Sequence, residues 1–136
     1  MKRYGSQGWL TLACVLAGLG VALGAFGAHA LKPVLPLQAM TIFETAVRYQ
    51  LLHSLALLGC GLAMEVFPAR AARLRWSAAL FVVGIVLFSG SLYGLAMSDA
   101  TVLGLLTPLG GLAWVAAWGW LAWTFGQGRG TPPGIR

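Results

Sequence analysis

The groups in this chain with the types and spacing to do chemistry are His29, Glu44, Arg48, Tyr49, Gln50, His53, Ser54, Ser89, Ser91, Tyr93 and Thr107. An imidazole can relay a proton, bind a small polar ligand or ligate a metal. Spacing limits the partnerships. Glu44 and Arg48 are four residues apart with the acid first, the favourable order for a helical ion pair. Tyr49 and His53 are also four apart and share one helix face. Glu44 and His53 are nine apart, about 180° around a helix, so they cannot form an acid–base dyad within it. His53 must look to another helix, where His29 is the obvious neighbour. The bland reading of each histidine is a hydrogen-bonded structural residue. For Ser89, Ser91 and Thr107 it is an interhelical hydrogen bond of about 0.6–2 kcal/mol each. Two imidazoles fall short of the ligand set of a stable metal site, so neither a metal nor a cofactor is expected. There is no phosphate loop, zinc spacing, G-x-S-x-G or dinucleotide fingerprint.

The elements that must position these residues follow from composition. Of 136 residues, 59% are hydrophobic and 9% charged, against about 25% charged in a soluble domain. The mean hydropathy is +0.82. A water-soluble chain could not cover its surface with so few charges. A soluble enzyme, a disordered chain and a nucleic-acid module are therefore excluded, despite a net charge of +6.

Four apolar blocks are predicted to be transmembrane helices, over about 9–31, 38–66, 76–97 and 108–125. About 20 apolar residues span a hydrocarbon core of about 30 Å. Continuous apolar runs exclude a β-barrel, whose strands alternate. Pro33, Pro36 and Pro68 punctuate the blocks. Thr107 is expected as an N-cap, with Pro108 at the first helical position. Lys2-Arg3, the first apolar run and Ala28-His29-Ala30 resemble a secretory signal. The run exceeds the usual 7–15 apolar residues of one, so it is expected to stay as a helix.

The fold class is thus an all-α integral membrane protein, with four transmembrane helices in an antiparallel bundle. Residues 1–8 form a cytoplasmic N-terminus, 9–125 a single transmembrane domain, and 126–136 a disordered cytoplasmic tail. Lys2, Arg3, Arg70, Arg73, Arg75, Arg129 and Arg136 fall on one side, and Lys32 and Arg48 on the other. By the positive-inside rule both termini are cytoplasmic. Trp9, Trp76, Trp120 and Trp123 at that same interface agree, and the polar groups, His29 and His53 among them, then belong to the outer half.

Glycine is abundant, at 19 residues. In a membrane small residues let helix backbones approach. Gly20, Gly24 and Gly27 make one such face of the first helix. Cys14, Gly18, Ala22, Ala25 and His29 make a second, expected to meet another helix. Gly90, Gly94, Gly110 and Gly111 are further packing candidates. Cys14 and Cys60 read as small buried hydrophobes.

Four ordered segments carry a family resemblance. They are Gly24-Ala-Phe-Gly-Ala-His-Ala-Leu-Lys32, Phe43-Glu-Thr-Ala-Val-Arg-Tyr-Gln-Leu-Leu-His53, Phe88-Ser-Gly-Ser-Leu-Tyr93 and Thr107-Pro-Leu-Gly-Gly111. Together they resemble the signatures of the domain of unknown function 423 family, the small YgdD/YwdK-type inner-membrane proteins, to which the mitochondrial transmembrane protein 256 is similar. The resemblance spans roughly residues 9–125. It implies a four-helix fold and a multi-pass place in the bacterial inner membrane, and it supplies no catalytic residues.

The reading that follows is a structural or accessory membrane component in contact with the lipid bilayer, alone, as a homo-oligomer or within a larger membrane complex, with no nucleic-acid partner. The alternative is binding or transport of a small polar solute, proton, ion or lipid through the outer-leaflet polar cluster. Catalysis has the least support, because no nucleophile–base pair is visible.

Overall fold

The computed structural model describes residues 4–98 and 100–127. Lys2, Arg3, Arg129, Arg136 and most of the expected tail lie outside them. Four helical segments are long and apolar enough to cross a membrane: α1, Gly5–Leu31; α2, Leu37–Val66; α3, Pro68–Met97; and α4, Thr101–Gly126. Each begins before, or within a residue of, the expected start. The apolar blocks mark where lipid begins, whereas a helix can continue into the interface with polar and charged residues. Arg73 and Arg75, expected in a loop, sit on the first turns of α3, where regular α-helix starts at Ala71. Pro68 opens α3 with a single 3₁₀ turn, and α4 has a similar lead-in over Thr101–Leu105.

Two helices contain wide π-type segments. One ends α1 at Gly27–Leu31 and is closed by Lys32 N–H donating to the Gly27 carbonyl at 2.9 Å. The other lies within α3 at Ile85–Gly90. Such segments re-aim side chains along a helix.

The helices pack in a chain. α1 lies on α2, α2 also packs on α3, and α3 packs on α4, while α1 and α4 share no such interface among the described residues. The main core joins Leu57, Cys60 and Met64 of α2 to Leu74, Ala78 and Phe81 of α3 and Trp114 and Ala117 of α4. A second cluster at the opposite end gathers Leu31, Met40, Phe43, Val47 and Ala96.

The first small face of α1 turns to α2. A β-carbon at Gly20 would lie 2.7 Å from Leu51, one at Gly24 3.3 Å from Val47, and one at Gly27 2.9 Å from Phe43. The second face does not meet a helix. Cys14, Gly18, Ala22, Ala25 and His29 are all exposed. This corrects the expectation for that stripe and for Cys14; Cys60 is buried. Sequence alone presents two equivalent small faces, and the neighbour's shape selects one.

The other glycines also divide. Gly110 is buried, and a β-carbon there would overlap the Phe88 backbone, so α4 rests directly on the π segment of α3. A β-carbon at Gly94 would lie 2.6 Å from Leu103. Gly90 is exposed and its nearest neighbour would be 3.9 Å away, as for Gly111. Neither of these two is a close-approach position.

Candidate functional site

The polar residues of the spans fall into three groups. The first is a set of interhelical joints. Gln50, at the centre of α2, is 4% exposed. Its Nε2 donates to the Leu16 carbonyl of α1 at 2.8 Å, and its Oε1 accepts from the Tyr93 hydroxyl of α3 at 2.8 Å. A carbonyl can only accept, so the amide orientation is forced. One side chain therefore ties three helices. Ser89 donates to the Ala46 carbonyl at 2.8 Å, joining α3 to α2. Ser91 lies two residues on, about 200° around the helix, and faces α4. Its hydroxyl donates to the Phe88 carbonyl at 2.9 Å and lies 2.8 Å from Thr107 Oγ1. With its one proton used there, Ser91 accepts from Thr107. Thr107 is thus not the expected N-cap: no side-chain cap bond is made at the start of that helix.

The second group is an aromatic stack around His53. The imidazole lies on the Trp114 indole with ring centroids 3.6 Å apart and planes 2° from parallel. Tyr49 extends the stack at 6.0 Å from His53 and 5.7 Å from Trp114, and Phe88 closes it at 4.7 Å from Trp114. The indole N–H donates to the Phe81 carbonyl at 3.2 Å, at the threshold of the π segment. His53 Nδ1 is 2.8 Å from the Tyr49 carbonyl. Beside the ring a groove of about 740 Å³ runs between α2 and α4.

His53 stands about 24 Å along a helix about 45 Å long, near its midpoint. His29 does not join it. Gly27 packs on Phe43 and Met40, and His53 is about 15 Å further along α2 than Phe43. His29 lies beyond Gly27 and is exposed. The expected two-histidine cluster is therefore absent. His53 meets an indole instead, a partner that sequence spacing cannot register.

The third group faces outward. Glu44 and Arg48 are both exposed, and no ion pair joins them among the described residues. They border a hollow of about 290 Å³ between α1 and α2, shared with Gly24 and Ala28. Among the described residues no three His, Cys, Asp or Glu side chains gather as a metal set would. Gln50 was among the polar candidates, whereas Trp114 and Gly84, on which a β-carbon would overlap the Trp114 indole, were not.

Residues 23–111 match the family model described as "Protein of unknown function (DUF423)". The chain is 39% identical over 113 residues to the UPF0382 inner membrane protein YgdD of Escherichia coli (strain K12), covering 83% of this chain and 85% of that one. It is 37% identical over 110 residues to the UPF0382 membrane protein SH2409 of Staphylococcus haemolyticus, covering 81% and 88%. No solved structure matches.

Proposed function

The chain belongs to the DUF423 family of membrane proteins of unknown function, and from that premise we propose that it is an accessory inner-membrane component that docks on another membrane subunit through the outward face of α2. The observation that carries this reading is the exposed pair Glu44 and Arg48. If α2 is centred in a hydrocarbon core of about 30 Å, Glu44 lies about 3 Å inside the boundary and Arg48 about 9 Å inside. Ionisable groups at such depth ordinarily face protein or water rather than lipid. The uncovered small stripe of α1 supports the same reading, because small residues permit close helix contact. Gln50, Ser89 and Ser91, by contrast, are spent on bonds within the fold.

Photo-crosslinking in intact membranes tests it. Thr41 is exposed, seven residues before Arg48 and on the same face. A photoreactive phenylalanine at position 41 should give protein adducts. The same residue in place of Val115, 69% exposed on α4, should give lipid adducts. Only lipid adducts at position 41 would contradict the proposal.

A further inference from the structure

The groove between α2 and α4 contains a hydrogen-bonding atom that the fold does not use. His53 Nδ1 faces a carbonyl, which only accepts, so Nδ1 carries the proton. In the neutral ring Nε2 is then an acceptor. His53 is 8% exposed, and its Nε2 has no hydrogen bond among the described residues. Among the described residues, the sealed polar side-chain atoms without a partner are Ser77 Oγ and Thr124 Oγ1. Nε2 is not one of them, so it keeps some open surface, and His53 lines the groove. The rest of the wall is apolar apart from the Cys60 thiol and the Trp118 indole N–H, with Leu52, Leu55 and Gly59 along its length. An unmet polar group in hydrocarbon costs several kcal/mol, so this acceptor selects a donor.

Depth selects what kind. With α2 centred in a hydrocarbon core of about 30 Å, the ring lies within about 2 Å of the midpoint, roughly 13–17 Å from either edge. A phospholipid headgroup cannot reach it, and the acyl tails that do reach it carry no donor. We propose that the groove binds a neutral, fully lipid-soluble hydroxyl compound. Its O–H donates to His53 Nε2, and its apolar body lies along Leu52, Gly59 and Trp118. The stack on Trp114 holds the ring in place for this contact. Two sources share the chemistry, a long-chain alcohol and a lipid-soluble hydroquinone.

The test uses the full chain in lipid nanodiscs, with radiolabelled 1-dodecanol, a decyl-tailed benzohydroquinone and n-dodecane as probes. At least one hydroxyl probe should bind saturably, and at least tenfold more tightly than the alkane. The tighter of the two identifies the source. His53→Phe keeps a ring on Trp114 but no acceptor, and should weaken the hydroxyl probe at least tenfold. Gly59→Leu is the second variant. A β-carbon at Gly59 meets nothing within 4 Å, so the fold should keep its melting temperature while the side chain fills the groove and abolishes binding. The proposal is overturned if neither hydroxyl probe saturates, if dodecane binds as tightly, or if either variant, with its melting temperature unchanged, binds like the parent.

Discussion

Gly84→Leu is expected to be among the most damaging single substitutions in the chain. A β-carbon on this buried glycine of α3 would already overlap the Trp114 indole. That ring cannot step aside. Trp114 is 4% exposed, held by its bond to the Phe81 carbonyl and pressed on its other side against His53. Overpacking a tight site costs about 1–3 kcal/mol even where neighbours adjust, and here the indole must also leave its acceptor. Unfolding in a detergent titration should show a loss of about 3 kcal/mol or more. Gly84→Leu combined with Trp114→Ala should recover part of that loss, because residues in contact are not additive. Additive losses would show that the indole is not what excludes a side chain at Gly84.

Gln50→Leu should follow it in size. Leucine keeps most of the volume but makes neither bond, to the Leu16 carbonyl nor to the Tyr93 hydroxyl. Each interhelical bond in a membrane contributes about 0.6–2 kcal/mol, so the pair sums to about 1–4 kcal/mol, and Tyr93 is left with an orphaned hydroxyl. Tyr93→Phe should cost only the one bond. In the Gln50→Leu background it should cost little or nothing, since its partner has gone. A full additional loss in the double variant would mean that the amide and the phenol do not meet.

The four spans were legible because each holds a long apolar block, bounded by proline or by basic residues. Their extents were less so. Hydropathy marks the lipid boundary, and nothing stops a helix such as α3 from starting at Ala71 with Arg73 and Arg75 in its first turns. That His53 must look beyond its own helix was also legible, from the nine-residue separation to Glu44. Which helix it meets was not, because sequence carries no register between helices. Gly84 escaped for a related reason. It has no glycine four residues away, whereas Gly90 and Gly94 do, yet the bulky partner across the interface sits at Gly84. Gln50 was legible as a polar candidate, because an amide in hydrocarbon must be satisfied, but its two partners on α1 and α3 were not.

The central claim is that Glu44 and Arg48 stand at an interface rather than in lipid. Charge reversal tests it through the mass of the assembly extracted in mild detergent. The parent should run well above the 14.3 kDa monomer after correction for detergent. Glu44→Arg or Arg48→Glu alone should shift it to the monomer. Reversing both should restore the assembly if the partner is a second copy of this chain, and leave it broken if the partner is a different subunit. A parent that is already monomeric, or single reversals that leave the assembly intact, would contradict the account.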